Sequence, residues 1–170
     1  MVRSDPLLHY LAGYPPDLLA SAASLLQQGI VLDTLSRRYG PPHELRTDGA
    51  LYGYVMQIRG RYLRGTDPLS RVAYDNRLHV VRNALGLHTA VSRVQGGKLK
   101  AKREIRIASL FRQVPEPLLR MIVVHELAHL KEPAHDKAFY ALCTHMEADY
   151  HQLEFDTRLW LTARELEGPR

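Results

Sequence analysis

The chain has 170 residues, of which 45% are hydrophobic and 24% are charged, and its formal net charge is +5. This length suits one domain with its own core, and the composition argues against a disordered chain. No apolar run approaches the roughly 20 residues of a membrane-spanning helix, and the N-terminus lacks the apolar segment of a signal peptide. The only cysteine, Cys143, allows no disulfide within the chain and suits a small buried residue. We therefore expect a single domain over 1–170, cytoplasmic and without a membrane partner.

Proline and glycine divide the first part of the chain into helical segments. Pro15-Pro16-Asp17 opens an apolar pattern of helical spacing that Gly29 can close, and Gly40-Pro41-Pro42 ends a second helix. The predicted helices lie at 15–29, 30–39, 50–64 and 75–85. Residues 1–70 therefore form a mostly helical N-terminal part.

The spacing of apolar residues then changes to the alternation of strands. LHTAVSRV (87–94), a turn at 95–97 and KLKAKREIRIASL (98–110) predict a β-hairpin. In the second strand the apolar residues share one face, with Arg103 as the exception. The opposite face carries Lys98, Lys100, Lys102, Glu104 and Arg106. We expect this face, the basic ribbon, to be exposed to solvent.

The C-terminal third predicts three helices. Pro115-Glu116-Pro117 begins a helix that continues through MIVVHELAH and that Pro133 must interrupt. Further helices fit 134–146 and 149–167, and the last is mostly polar with a few large apolar anchors. Helices, a small antiparallel hairpin and further helices give an α+β fold.

The segment HELAH places two histidines four residues apart, so that on a helix they lie one above the other on one face. Two imidazoles in this arrangement can bind one Zn²⁺, and Glu126, next to His125, can reach a metal-bound water. Burying His125, Glu126 and His129 together without a metal would leave polar groups to satisfy for no gain. The segment therefore predicts a catalytic zinc site.

A catalytic zinc ion needs a third protein ligand and an open fourth position. His135 lies six residues after His129, beyond Pro133, and the helix break lets the chain turn so that it approaches the metal from another side. Glu147 or Glu154 is the alternative third ligand. The spacing HELAHLKEPAH equals that of metzincins, but Glu132 stands where their glycine would be. Tyr140 and Tyr150 are the tyrosines that could stabilise an oxyanion, and His145 and His151 are expected to be surface or core residues.

The run from about 99 to 155 resembles the YgjP-like metallopeptidase family, which is related to SprT-like proteases. A strand, the helix with HELAHL, a short link and then His135-Asp136-Lys137-Ala138-Phe139 carry the resemblance. It implies a minimal zincin-like fold with its metallopeptidase core at 75–165, in which His125, His129 and His135 hold zinc and Glu126 is the general base.

We interpret the chain as a zinc-dependent metallopeptidase with a protein or peptide substrate. In zincins the strand before the motif helix forms a sheet edge that pairs with an extended substrate, and the strand at 104–110 would do so here. The alternative is a zinc-stabilised nucleic-acid-binding module. Residues 59–106 hold twelve Lys or Arg against three acidic residues, so non-specific DNA is a possible partner. A protease for DNA-associated proteins combines the two, and hydrolysis of a non-peptide amide is a third option.

Overall fold

The computed structural model describes residues 10–66, 68–78, 93–94 and 101–168. The elements are α1 (Pro16–Gln27), α2 (Val31–Tyr39), α3 (Asp48–Tyr62), β1 (Leu69–Asp75), β2 (Arg93–Val94), β3 (Ala101–Ala108), a 3-10 helix (Ser109–Arg112), α4 (Glu116–Ala128), α5 (Lys137–Met146) and α6 (Tyr150–Glu167). The α+β class is therefore confirmed, and the predicted helices at 15–29, 30–39 and 50–64 correspond to α1, α2 and α3.

Helix α4 is the centre of the hydrophobic core. Ten of its residues, from Leu118 to Ala128 with the exception of Arg120, are buried. A helix that is apolar on nearly all sides needs neighbours on nearly all sides. Helices α3, α5 and α6, the strand β3 and the 3-10 helix all contact it. The HELAH segment thus lies in the last turn of the most enclosed element of the fold.

The sheet is mixed, with β3 between β1 and β2. β2 pairs with β3 in the antiparallel sense, as the predicted hairpin requires, through Arg93–Lys102 and Val94–Ala101. β1 pairs with β3 in the parallel sense, from Leu69–Arg103 to Asp75–Ala108. The expectation of a purely antiparallel sheet was therefore wrong, because it did not include β1.

The strand β1 corrects the sequence prediction of a helix at 75–85. Asp75 ends the strand and residues 76–78 form a turn, while the rest of the predicted helix lies outside the described residues. The register shifts between Leu69 and Arg71. This irregularity breaks the alternation of apolar and polar residues by which a half-buried strand is recognised in a sequence.

Helix α6 is more deeply buried than its polar sequence predicts. The large apolar residues expected to anchor it are buried, namely Leu153, Leu159, Trp160 and Leu161. Four polar residues are buried as well: Asp156, Thr157, Arg158 and Thr162. The two threonine hydroxyls donate to the carbonyl oxygens four residues earlier, at 2.7 and 2.8 Å. Arg158 donates to Glu154 and to the Tyr10 carbonyl oxygen. Because most of these polar groups have partners, with Arg158 Nε as an exception among the described residues, the helix can lie inside the core.

None of the described helices is both long and apolar enough to cross a membrane by itself. α1 and α2 meet the length and composition requirement only as a pair, across a bend of 104°.

Candidate metal centre

Helix α4 brings His125 and His129 to its C-terminal end. His125 lies in the last helical turn, and His129 is the residue at which the helix ends. The backbone N–H groups of Leu130, Lys131 and Glu132 donate hydrogen bonds to carbonyl oxygens of the last helical turn. The helix therefore ends before Pro133, and the chain is free to reverse between His129 and His135.

The side chain of Asp136 begins the next helix. Its Oδ1 accepts a hydrogen bond from the backbone N–H of Phe139 at 2.9 Å. This is the N-cap arrangement, in which a side-chain oxygen satisfies an N–H of the first helical turn. The cap explains why α5 starts at Lys137 rather than near 134. It also holds His135, the residue just before Asp136, at the end of α4.

The three histidines converge on one point through their Nε2 atoms. The three Nε2 atoms form a triangle. His129 Nε2 lies 3.3 Å from His125 Nε2 and 2.9 Å from His135 Nε2, and the distance between His125 Nε2 and His135 Nε2 is 3.2 Å. Nitrogen ligands about 2.0–2.1 Å from a tetrahedral ion lie about 3.3–3.4 Å apart. The triangle thus has nearly the size that a tetrahedral metal ion requires, and the donor set fits such an ion.

The other ring nitrogens are held by partners that leave Nε2 available. His129 Nδ1 lies 3.0 Å from the carbonyl oxygen of Glu132. A carbonyl oxygen only accepts, so Nδ1 carries the proton and Nε2 keeps its lone pair for a metal. His125 Nδ1 lies 2.7 Å from the Tyr150 hydroxyl, which can accept the same kind of bond. The Glu132 carbonyl fixes the tautomer and ring orientation of His129, and the Tyr150 hydroxyl holds the ring of His125 in an orientation that suits ligation.

Phe139 forms an aromatic contact with all three histidines. Its ring centroid lies 5.0 Å from that of His125, 4.5 Å from that of His129 and 4.9 Å from that of His135. Because Phe139 is fully buried, its ring cannot move aside into solvent. It therefore limits the tilt of each imidazole. The cluster is therefore built on a rigid hydrophobic support.

The tyrosine and the cysteine behind His125 remain protonated. Burial raises the pKa of Tyr150 far above its ordinary value, and burial raises the pKa of the Cys143 thiol to about 12. Cys143 is fully buried, as expected from its sequence. Since a thiol in this state is neither a nucleophile nor a ready metal ligand, the chemistry of the centre rests on the imidazoles and on Glu126.

Glu126 lies beside His125 in the buried part of the centre. Both residues are only 2% exposed, and successive residues of a helix differ by roughly 100° in direction. Glu126 therefore leaves the helix in a different direction from His125, and its carboxylate is not one of the atoms that converge on the centre of the cluster. The group that could hold a metal among the described residues consists of His125, His129 and His135.

Comparison with known proteins agrees with this histidine centre. The family described as "YgjP-like, metallopeptidase domain" matches residues 73–158, which include all three histidines and Glu126. The chain belongs to the YgjP-like metallopeptidase family. Another similar protein, named UTP pyrophosphatase, is from Escherichia coli (strain K12). It is 61% identical over 155 residues, 91% of this chain and 93% of that protein. No solved structure matches the chain.

The two glutamates considered as alternative third ligands lie in ion pairs in this YgjP-like protein. Glu147 pairs with Arg120 at 2.7 Å, and Glu154 pairs with Arg158 at 3.1 Å. Neither belongs to the converging group, whereas His135 does. Tyr150, considered as an oxyanion donor, is instead fully buried behind His125. His145 and His151 are exposed, as expected.

Only part of the basic ribbon lies within the residues that the structure describes. Lys98 and Lys100 lie outside the described residues, as does the side chain of Lys102. Arg106 is described, and its side chain is only 11% exposed because it pairs with Asp75 at 3.0 Å and with Glu104 at 3.2 Å. The expectation that Arg106 lies on a solvent-exposed face was therefore wrong. Nucleic-acid binding by the lysines stays a prediction.

Two contacts of the centre could not be recognised in the sequence. The Glu132 carbonyl that orients His129 belongs to the backbone, so no residue type marks it. Arg103 interrupts the apolar face of β3, and it donates to the carbonyl oxygen of Leu130 at 2.6 Å. This arginine ties the sheet to the turn after His129. The only sign of this contact in the sequence was a charged residue at a position where the alternation of the strand predicts an apolar one.

Proposed function

We propose that this protein is a zinc-dependent hydrolase in which His125, His129 and His135 hold the metal. The observation that carries the proposal is the convergence of three Nε2 atoms within 3.3 Å of one another. Among the described residues no fourth His, Cys, Asp or Glu joins this group. Three protein ligands with one open position are typical of catalytic zinc, whereas structural zinc sites have four protein ligands.

The chemistry divides between the metal and Glu126. Zinc held by His125, His129 and His135 would supply a water with a pKa of about 7 and would polarise the bond to be cleaved. The Glu126 carboxylate takes the proton from the attacking water and returns it to the leaving group. The buried position of Glu126 strengthens this role, because few water molecules compete for its oxygens. The two hydrogen-bonded Nδ1 atoms keep His125 and His129 oriented throughout.

As substrate we propose UTP, which water would split into UMP and pyrophosphate. The support is the 61% identity with the Escherichia coli protein named UTP pyrophosphatase, over nearly the whole of both chains. The oxygen of water would bond to the α-phosphorus and the bond to the β-phosphate oxygen would break. A net charge of +5 favours the approach of a triphosphate.

Peptide hydrolysis is the second candidate, and the match to a metallopeptidase domain favours it. The same water and general base would serve a peptide carbonyl. However, β3 pairs with β1 from Arg103 to Ala108 and with β2 at Ala101 and Lys102. β1 thus occupies one edge of β3 over 103–108, whereas the described part of β2 pairs with the other edge only at 101–102, so an extended peptide would have to pair with this second edge.

The decisive experiment compares zinc-loaded wild-type protein with Glu126→Gln. Gln keeps the shape of the side chain but is no base, so we expect full zinc content, an unchanged melting temperature and UTP turnover lower by roughly 100-fold or more. UMP and pyrophosphate are measured separately from UDP and phosphate, and an unfolded protein is assayed in parallel. Glu132→Gln is the matched control, because the contact of Glu132 with His129 is made by its backbone carbonyl oxygen.

Each outcome assigns a function. Loss of UTP cleavage in Glu126→Gln, with Glu132→Gln near wild type, supports the proposal. Cleavage of the unfolded protein alone would favour the peptidase. If both substrates were untouched, and X-ray absorption counted four protein ligands on the zinc, the site would be structural and the hydrolase proposal would fail.

A further inference from the structure

A cavity lies away from the histidine cluster. It has a volume of about 690 Å³ and lies between α2, the segments that precede α3 and α4, and the C-terminal half of α6. None of the three histidines lines it. Pro115, in its wall, precedes His125 by ten residues, which is about 15 Å along a helix. The cavity is therefore at the opposite end of α4 from the metal centre.

Three arginines, Arg46, Arg112 and Arg164, line this cavity, and no acidic residue does so in the described part of the chain. Arg112 is fixed in place, because its Nε donates to the Arg46 carbonyl oxygen at 3.0 Å and its guanidinium lies 4.5 Å from the Tyr74 ring centroid. Arg164 is partly neutralised by Glu167 at 3.5 Å. Arg46 forms no salt bridge with any residue that the structure describes. The cavity consequently has an excess of positive charge.

The lining of the cavity also contains apolar and aromatic residues. Leu32, Pro42 and Trp160 line it, and the Arg164 guanidinium lies 5.5 Å from the Trp160 ring centroid. Small-molecule sites commonly have volumes of 300–1,000 Å³, with apolar walls and a few polar anchors. Guanidinium groups bind phosphate through paired hydrogen bonds. The ligand that fits has a phosphate at one end and a flat or apolar group at the other.

We propose that this cavity is a second binding site, separate from the metal centre, for a nucleoside phosphate. The phosphate would lie among Arg46, Arg112 and Arg164, and the nucleoside would lie against Leu32, Pro42 and the small part of Trp160, 6% of its surface, that is exposed. The site goes beyond the proposed hydrolase function because it shares none of the metal ligands. Two helices connect it to the centre: α4 leads from Pro115 to His125, and α6 leads from Trp160 to Tyr150, whose hydroxyl contacts His125.

Trp160 makes the test direct, since it is the only tryptophan in the chain. The full-length zinc-loaded protein is titrated with UMP, inorganic phosphate and uridine while the tryptophan fluorescence is recorded. We expect a saturable change with UMP, at lower concentrations than with phosphate, and no comparable change with uridine. Chelated wild-type protein and His129→Ala should show the same response, because the cavity does not use the metal.

The arginine variants decide whether the response comes from this cavity. Arg46→Gln and Arg164→Gln should each weaken UMP binding by about 10-fold or more, the usual cost of a lost charge-assisted hydrogen bond. Arg64→Gln is the control for charge, because Arg64 is exposed and does not line the cavity. The proposal is wrong if UMP gives no saturable signal, if both arginine variants bind like wild type, or if the signal disappears with the metal. Equal affinities for phosphate and UMP would overturn its nucleoside part.

Discussion

At the scale of single residues, the histidines of the metal centre were predictable but the groups that orient them were not. The four-residue spacing in HELAH places His125 and His129 on one helix face wherever that helix lies. The helix break before Pro133 made it possible for His135 to return to the same point. The partner of His125, in contrast, is a tyrosine 25 residues away on another helix. Only the packing of α6 against α4 brings the two side chains together, and no short sequence pattern predicts that packing.

Tyr150→Phe tests the contribution of this remote hydroxyl. The variant removes the oxygen that lies 2.7 Å from His125 Nδ1 but keeps the buried ring, so the fold should be retained. We expect zinc affinity or turnover to fall by about 10- to 100-fold, as is usual when the hydrogen-bond partner of a metal-binding histidine is lost. Competition with a zinc chelator measures the affinity.

Tyr140→Phe is the matched control for this substitution. Tyr140 is half-buried, and its ring centroid lies 6.3 Å from that of Tyr150, but no hydrogen bond to a histidine of the centre is present. It should bind zinc like wild type. Equal zinc affinities for Tyr150→Phe and wild type would show that the hydroxyl does not orient His125.

At the scale of elements, the sequence predicted helices better than strands. Proline and glycine mark the beginnings and ends of α1, α2 and α4, and their apolar residues recur at helical spacing. β1 was missed because its alternation is broken near Ser70, and because its pairing partner, β3, lies about 30 residues further along the chain. The start of α5 depends on the side chain of Asp136, which also determines where His135 lies.

Substitution of Asp136 tests whether this cap supports the metal centre. Asp136→Ala removes the oxygen that accepts from the Phe139 N–H, so the free energy of unfolding should fall by about 1 kcal/mol. Because His135 precedes the cap, zinc should also dissociate faster. Asp136→Asn retains a capping oxygen and should remain close to wild type in both respects. Urea denaturation and the rate of zinc transfer to a chelator provide the two measurements. A rate for Asp136→Ala equal to that of Asp136→Asn would mean that the cap does not hold His135.

At the scale of the whole molecule, the core surrounds α4, and both sites lie at the ends of this helix. The core contains residues from every described helix and from β1 and β3, which explains how a short sheet suffices to support the helices. Composition and length predicted an ordered protein with a core of this kind. They could not predict the cavity between α2 and α6, because Arg46, Arg112 and Arg164 are far apart in the sequence and only the fold brings them together.

A metal ion held by three residues of the folded chain should stabilise that fold as a whole. His125 and His129 come from the end of α4 and His135 from the segment before α5, so zinc would join two parts of the core that the unfolded chain does not hold together. With free zinc about 100-fold above its dissociation constant, the free energy of unfolding should rise by about 2.7 kcal/mol. At about 2–4 °C per kcal/mol for a protein of this size, the melting temperature should rise by about 5–11 °C. Thermal unfolding with zinc or with a chelator measures this difference. In His129→Ala, which lacks one ligand, the shift should largely disappear. A shift of the same size in wild type and His129→Ala would place the stabilising metal at some other site and contradict the assignment of this centre.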